Sequence, residues 1–218
     1  TEDIIKTIDQ HGSETALVMF SGVQYYTGQF FNLEEITNAA HRNGAVCGFD
    51  LAHAAGNVSL RLHDWNIDFA TWCSYKYLNS GPGGVSGAFV HEKHGENPQL
   101  PRFAGWWGHD KKTRFQMKNE FIPIPTAEGW QLSNPPILSL AAIRASLDVF
   151  SRAGGIEKLR VKSIRMTDYF RKRLAQSLGT SIQILTPEDR GGCQLSLEVH
   201  PKDGQAKKIF ERLGEKGV

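Results

Sequence analysis

Short, uninterrupted apolar runs alternate with polar or amphipathic segments in the first third of the chain. The runs occupy residues 16–20, 45–49 and 69–73. Continuous apolar runs of this length are typical of strands that are covered on both faces of a parallel sheet. Residues 32–43 have a helical pattern with capping residues at both ends, and a short helical piece is predicted at residues 62–66. The order of strand, helix and strand predicts a βαβ unit with parallel strands.

The second half of the chain has a different pattern. Apolar residues recur at helical spacing over residues 137–152 and 156–178, which predicts two successive amphipathic helices. Residues 193–199 alternate between apolar and polar positions, as in a strand with one exposed face. A charged helix is predicted over residues 203–216. These elements are typical of an α+β unit rather than of a parallel sheet.

The change in pattern predicts two domains and an α/β fold class. Residues 1–136 are predicted to be a portion of a large domain with a mainly parallel sheet and helices on both faces. Residues 137–218 are predicted to form a linking helix and part of a small α+β domain. Between the two patterns, residues 92–133 are irregular and rich in aromatic side chains, which is more often functional or interfacial than idle.

Composition excludes several classes of function. The 218 residues carry a net charge of +2 without a clustered basic face, so nucleic acid is not an expected partner. No apolar run approaches the roughly 20 residues of a membrane span, so a membrane is not expected either. The three cysteines, Cys47, Cys73 and Cys193, lie in or beside apolar runs. They predict buried, reduced thiols in a cytoplasmic protein.

A lysine and an aspartate follow two neighbouring strands of the predicted sheet. Lys76 comes just after the run 69–73, at the edge where α/β sheets bind their ligands, and Asp50 ends the preceding strand. An amine at this place can form a Schiff base with a carbonyl substrate or with pyridoxal 5'-phosphate. A nearby carboxylate keeps the pyridine nitrogen of that cofactor protonated. The alternatives are a solvated surface lysine and an aspartate that caps a helix or turn.

Neither a metal site, nor a dinucleotide-binding loop, nor a serine-hydrolase site is predicted. His53, three residues after Asp50, is predicted to contact a cofactor or to be half of a metal site. No second pair of residues has metal-ligand spacing, so no metal is predicted. The glycines of residues 81–87 precede a strand instead of opening a helix, which excludes a dinucleotide-binding loop. The GxSxG motif of serine hydrolases is absent.

Seven segments taken together resemble the kynureninases, which are fold-type I pyridoxal-phosphate enzymes of the aminotransferase class V superfamily. The resemblance runs in order along nearly the whole chain. The segments are Phe20-Ser21-Gly22-Val23, Tyr26-Thr27-Gly28-Gln29, Gly48-Phe49-Asp50-Leu51-Ala52-His53-Ala54, Leu62-His63-Asp64-Trp65, Cys73-Ser74-Tyr75-Lys76-Tyr77-Leu78-Asn79, Gly105-Trp106-Trp107-Gly108-His109 and Ser133-Asn134-Pro135-Pro136.

The resemblance implies a role for each matching residue. It implies that Lys76 binds the aldehyde of pyridoxal 5'-phosphate and that Asp50 pairs with the ring nitrogen. It also implies cofactor contacts for the residues that match the rest of the family's site, with Asn134 reaching across a dimer interface and Tyr75 as a second catalytic residue that moves protons. The residues with implied cofactor contacts are Ser21, His53, Tyr75, Trp106 and Asn134.

The implied reaction is hydrolytic cleavage of the Cβ–Cγ bond of L-kynurenine or 3-hydroxy-L-kynurenine. Its products are anthranilate or 3-hydroxyanthranilate and L-alanine, and the resemblance implies a homodimer. The family's phosphate-gripping loop and its arginine for the substrate carboxylate find no match in these residues, so the isolated chain is expected to bind the cofactor weakly and to be inactive. The alternatives are another class V enzyme, such as a cysteine desulfurase, and a non-catalytic scaffold. His53 argues against desulfurases, which tend to carry glutamine there.

Overall fold

The structure is a computed structural model that describes residues 1–95, 97–199 and 206–218, and its fold is α/β, as predicted. Helices and strands alternate in the first half, and two long helices precede a small sheet in the second. The elements in chain order are α1 (Glu2–His11), β1 (Leu17–Ser21), α2 (Leu33–Arg42), β2 (Val46–Asp50), β3 (Phe69–Trp72), β4 (Gly87–Val90), α3 (Ile137–Arg152), α4 (Gly155–Leu178), β5 (Ile182–Ile184), β6 (Leu197–Val199) and α5 (Ala206–Glu215).

The larger sheet has four strands in the order β1-β2-β3-β4. β1, β2 and β3 are parallel to one another, as the βαβ pattern predicts, and β4 pairs with β3 in the antiparallel sense. The register places Ser21 beside Asp50, and Asp50 beside Thr71. The carboxyl ends of the three parallel strands therefore open on the same edge of the sheet.

The predicted capping of α2 is confirmed. The Asn32 side chain accepts a hydrogen bond from the Glu35 backbone N–H at 3.3 Å. One face of this helix is fully buried, with Leu33 and Ile36 at its centre. These side chains join Phe49 of β2 in the hydrophobic core between the sheet and the first two helices. The cap and the buried face together fix α2 on the sheet, because packing rather than propensity supplies most helix stability.

The opposite face of the sheet is partly open. Leu17, Met19 and Val46 each expose two fifths to one half of their surface, although they belong to parallel strands. Val46 and Phe69 line a cavity of about 380 Å³ on this side, together with Trp130 from the irregular segment. The prediction that these strands are covered on both faces is therefore wrong for this side of the sheet: burial alternates over the first residues of β1, whereas β2 is buried from Cys47 to Phe49.

The small sheet of β5 and β6 is antiparallel and docks on the loop after β1. The buried Thr186 hydroxyl donates to the Thr27 carbonyl at 2.6 Å and accepts from the Ser196 N–H at 2.8 Å. Gln194 donates to the Tyr25 carbonyl at 2.8 Å. These bonds hold the C-terminal part of the chain against the loop that borders the open sheet edge.

Several sequence predictions need correction. Residues 62–66 form successive turns instead of a helical piece, and only Leu197–Val199 of the predicted strand 193–199 is paired. In the first part of that segment, the Cys193 N–H donates to the Asn57 side chain and the Gln194 side chain donates to the Tyr25 carbonyl, both in loops of the large sheet. The predicted helix 203–216 is observed from residue 206, and its first residues lie outside the described ones. None of the described helices has the length and apolar character needed to cross a membrane.

Candidate active site

The loop that carries Lys76 is held by its own buried hydroxyl groups. Ser74 and Ser80 are buried, and their Oγ atoms are 2.6 Å apart. Ser74 Oγ also donates to the Val85 carbonyl at 2.5 Å, and the Ser80 N–H donates to the Ser74 carbonyl at 3.1 Å. These bonds close the loop on both sides of Lys76. The lysine therefore projects from a rigid turn just beyond β3, as the sequence predicts.

The segment after β2 packs closely against the lysine loop. Gly56 has a φ of +82°, and a Cβ atom at this position would lie 2.7 Å from the Tyr77 carbonyl oxygen. Asn57 then donates through Nδ2 to the His53 carbonyl at 2.9 Å and accepts through Oδ1 from the Cys193 N–H at 3.0 Å. The close approach requires glycine at position 56, and it brings His53 alongside the lysine loop.

Lys76 and His53 are in direct contact. Lys76 Nζ lies 3.1 Å from His53 Nε2. The half-buried imidazole stands between two tyrosine rings, with centroid distances of 6.1 Å to Tyr25 and 5.8 Å to Tyr77. His53 Nδ1 is buried and has no hydrogen-bond partner among the described residues. Burial and the Lys76 ammonium both lower the pKa of His53, and the Asp50 carboxylate acts in the opposite direction. The histidine is therefore neutral at physiological pH.

Asp50 lies at the exposed edge of the sheet beside Ser21. Its Oδ1 atom accepts a hydrogen bond from the Ala52 N–H at 2.8 Å, which orients the carboxylate at the strand end. His53, three residues further along the chain, contacts Lys76 Nζ at 3.1 Å. Ser21, Asp50, His53 and Lys76 therefore share one edge of the sheet, as the topology predicts.

Tyr75 is half-exposed beside the lysine. Lys76 Nζ lies 6.0 Å from the centroid of the Tyr75 ring. A hydrogen bond with the Cys73 thiol is the main cause that raises the pKa of the Tyr75 phenol. The phenol consequently keeps its proton near neutral pH and is available as a proton donor.

Trp106 and Asn134 lie apart from this group. Trp106 begins a short 3₁₀ turn, packs edge-on against Trp107 at 5.2 Å and lies near the Arg114 guanidinium. Asn134 is exposed ahead of α3. Among the described residues, no hydrogen bond joins either side chain to Lys76. Pro136, two residues later, is the N-cap residue of α3.

Three residues of the site were not predicted to take part in it. Tyr25 and Tyr77 hold His53 between their rings, and burial is the main cause that raises the pKa of Tyr77, with Cys193 as the second. Cys193 is exposed, so the prediction that all three cysteines are buried is wrong. Its position follows from the backbone bond to Asn57, a contact between residues that are far apart in the chain. No local pattern signals such a contact.

The chemistry of these groups fits a pyridoxal cofactor. A cleft of about 660 Å³ opens between Lys76, His53, Tyr77 and Phe150. It presents one amine, and a carboxylate stands at the same sheet edge. The partnerless Nδ1 of His53 adds a buried polar atom that is free to bond with a ligand. Pockets with a few convergent polar groups of this kind are typical ligand sites.

Comparison with known proteins gives a consistent result. The family model of the class-V aminotransferases matches residues 1–218. The kynureninase of Nematostella vectensis is 52% identical over 231 residues, which cover all of this chain and 49% of that protein. The kynureninase of Myxococcus xanthus is 54% identical over 220 residues, which cover all of this chain and 51% of that protein. The chain thus spans about half the length of the curated relatives it matches.

Solved structures share the fold at low sequence identity. A cysteine desulfurase from Escherichia coli superposes with a TM-score of 0.76 at 16% identity, covering 99% of this chain and 51% of the other. An alanine–glyoxylate aminotransferase from Nostoc sp. superposes with a TM-score of 0.70 at 20% identity, covering 97% and 53%. At this identity the similarity establishes the fold and leaves the reaction to the residues of the site.

Proposed function

The chain belongs to the aminotransferase class-V family, and from this premise we propose that its full-length parent is a kynureninase. The proposed reaction is hydrolysis of the Cβ–Cγ bond of L-kynurenine or 3-hydroxy-L-kynurenine, which gives anthranilate or 3-hydroxyanthranilate and L-alanine. The observation that carries the proposal is the contact between Lys76 and His53 at the sheet edge where β2 ends in Asp50. Identity of about 50% to kynureninases along the whole chain supports the choice of substrate.

The family's cofactor, pyridoxal 5'-phosphate, supplies an aldehyde and an electron-accepting ring when it is bound. We assign Lys76 Nζ to the aldehyde and Asp50 to the ring nitrogen. The amine of Lys76, once free, takes the proton from the substrate α-carbon and returns it later. After water has added to the γ-carbonyl and the Cβ–Cγ bond has broken, the Tyr75 phenol, protonated near neutral pH, donates a proton to Cβ of the alanine fragment, while the other fragment leaves as anthranilate or 3-hydroxyanthranilate. Ser21 lies beside Asp50 and is assigned a cofactor contact.

We also propose that the protein is a cytoplasmic homodimer. Within each chain, we place the boundary between the large and the small domain between residues 136 and 137. The region that carries Trp106 and Asn134 exposes large apolar side chains, which is typical of an interaction surface. In the proposed dimer, these two residues would complete the partner's site, since they do not reach Lys76 of their own chain. Measurement of molecular mass in solution tests the dimer, and a monomer would contradict it. The exposed side chains of the region are Phe103, Phe115, Met117, Ile137 and Leu138.

The function is tested by assaying the full-length protein with kynurenine and with cysteine in parallel. We expect anthranilate from kynurenine and no sulfide from cysteine. Lys76→Ala is expected to lose the visible absorption band of bound cofactor and at least about 100-fold in rate. Lys172→Ala, at an exposed lysine of α4, is the matched control and is expected to keep both. Sulfide release, or full activity of Lys76→Ala, would overturn the proposal.

A further inference from the structure

The contact between Lys76 and His53 has a defined direction. An ammonium group has three donors and no acceptor, so His53 Nε2 must accept the bond at 3.1 Å when Lys76 is protonated. A neutral imidazole that accepts at Nε2 carries its own proton at Nδ1. The Lys76 contact therefore fixes the tautomer of His53 as well as the position of the lysine side chain.

The surroundings of His53 favour this arrangement over a doubly protonated one. Two cations 3.1 Å apart would repel each other, and the ring is half-buried between Tyr25 and Tyr77. Burial and Lys76 lower the pKa of His53, and Asp50 only partly offsets them. The imidazole is therefore a neutral acceptor with two tyrosine rings as its aromatic neighbours.

We propose that His53 is a positioning residue that holds the protonated amine of Lys76 beside the cofactor site whenever that amine is not bound to the cofactor aldehyde. The proposal rests on the proposed function, in which Lys76 removes a proton from the substrate and becomes an ammonium group. At that stage a fixed acceptor 3.1 Å away keeps the ammonium in place until the proton is returned. A cofactor contact alone would not require an acceptor aimed at the lysine.

The first test compares two substitutions of His53 in the full-length protein prepared without cofactor. His53→Phe keeps an aromatic ring between Tyr25 and Tyr77 but removes the acceptor, and His53→Gln supplies an amide oxygen that accepts. The readout is the rate at which acetic anhydride modifies Lys76 at pH 8, measured by peptide mass spectrometry relative to Lys172. We expect about a five- to tenfold faster modification in His53→Phe, because less of the amine is held as ammonium.

His53→Gln is expected to return the modification rate to within about twofold of the original protein. Equal rates in the original protein and His53→Phe would overturn the proposal, as would equal acceleration in both variants. Circular dichroism of each variant checks that it is folded. Neither readout depends on cofactor or turnover, so failure of the proposed function is distinguishable: activity would be lacking while the effect of His53 on Lys76 persisted.

The second test measures the pKa of His53. Exchange of the His53 Cε1 hydrogen with deuterium, followed by mass spectrometry, reports the pKa of this histidine. Lys76→Met is expected to raise the pKa of His53, because the cation is lost while Asp50 remains. Lys76→Arg retains the cation and is expected to keep the pKa low. The same pKa in Lys76→Met and Lys76→Arg would contradict a direct contact between the two side chains.

Discussion

Two aspartates at opposite edges of the sheet have opposite environments. Asp50 ends β2 on the exposed edge, and Asp68 precedes β3 on the other edge, with only 4% of its surface exposed. In the described part of the chain, the Asp50 carboxylate accepts one hydrogen bond, from its near neighbour Ala52. The Asp68 carboxylate is surrounded by donors from four residues. These are the Cys47 N–H at 2.7 Å, His41 Nε2 at 2.8 Å, His94 Nε2 at 2.8 Å and Lys93 Nζ at 2.7 Å.

The difference separates a structural polar cluster from a functional one. Burial alone would raise the pKa of Asp68, but its hydrogen-bond donors hold that pKa well below the usual range. Asp68 thereby joins α2, β2 and the turn after β4 at one point. At the edge with Lys76, in contrast, the Asp50 carboxylate can accept further hydrogen bonds, and His53 Nδ1 has no partner among the described residues. Within the described ranges, Arg102 Nη1 and Arg114 Nε are also buried without a partner, so the unpaired His53 Nδ1 indicates a ligand site only together with its contact to Lys76 and the exposed Asp50 carboxylate.

The largest expected effect on stability comes from removing the Asp68 carboxylate. Asp68→Ala is expected to lower the free energy of unfolding by about 3–5 kcal/mol, because it leaves the buried Cys47 N–H and three half-buried side-chain donors without their acceptor. Asp64→Ala is the matched control, since Asp64 is exposed four residues earlier, and its effect should stay within about 0.5 kcal/mol. Urea denaturation of the full-length protein at pH 7 measures both. Equal effects would remove the distinction between the two edges.

The same carboxylate has a predicted pH dependence. Because the pKa of Asp68 is lower in the folded protein than in the unfolded chain, its contribution is fully present above the unfolded pKa of about 4. That contribution is lost as the pH falls below this value, toward the folded pKa. The difference in stability between the original protein and Asp68→Asn should therefore shrink between pH 5 and pH 3. A constant difference over this range would mean that the carboxylate charge is not what stabilises the cluster.

Much of the sheet and the position of Lys76 follow from the sequence, because both depend on local patterns. Uninterrupted apolar runs mark the strands, the period of 3.6 residues gives the helix Ile137–Arg152, and a strand end places Asp50 and Lys76. β4, however, has no pattern that distinguishes an antiparallel strand from a further parallel one. Its orientation depends on the connection between β3 and β4, residues 73–86, which the lysine loop occupies and which contains no helix.

The Asp68 cluster was missed for a different reason. Its donors come from residues 41 to 94, so no spacing within a short window reveals them. Asp68 itself stands at the start of an apolar run, where an aspartate is usually a turn residue. The same applies to His53: the sequence predicts a cofactor contact, whereas its hydrogen bond to Lys76 depends on the close approach at Gly56. Contacts of this kind are properties of the packing.

The cysteines near the two edges are expected to differ in their rates of chemical modification. Burial is the main cause that raises the pKa of Cys47, beside Asp68, to about 11, although a hydrogen bond from Thr37 lowers it. Cys193, near Tyr77, is exposed. Since the thiolate is the reactive form, iodoacetamide at pH 8 should modify Cys193 at least about 100-fold faster than Cys47. Peptide mass spectrometry gives both rates.

Asp68→Ala provides the internal check on this labelling. If the Asp68 cluster prevents local opening around Cys47, the substitution should accelerate modification of Cys47 and leave the modification rate of Cys193 unchanged. Similar rates for the two thiols in the original protein would show that the edge around Asp68 opens as readily as the edge around Lys76.

The smallest expected change in stability belongs to the other aspartate. Asp50→Asn keeps the shape of the side chain and the oxygen that accepts from the Ala52 N–H. Because Asp50 is exposed and has no further hydrogen bond among the described residues, the free energy of unfolding without cofactor should change by less than about 0.5 kcal/mol. The neutral amide cannot keep a pyridine nitrogen protonated, so the rate with kynurenine should nevertheless fall. A large loss of stability would show that Asp50, like Asp68, supports the fold, and that the charge at this edge is not reserved for a ligand.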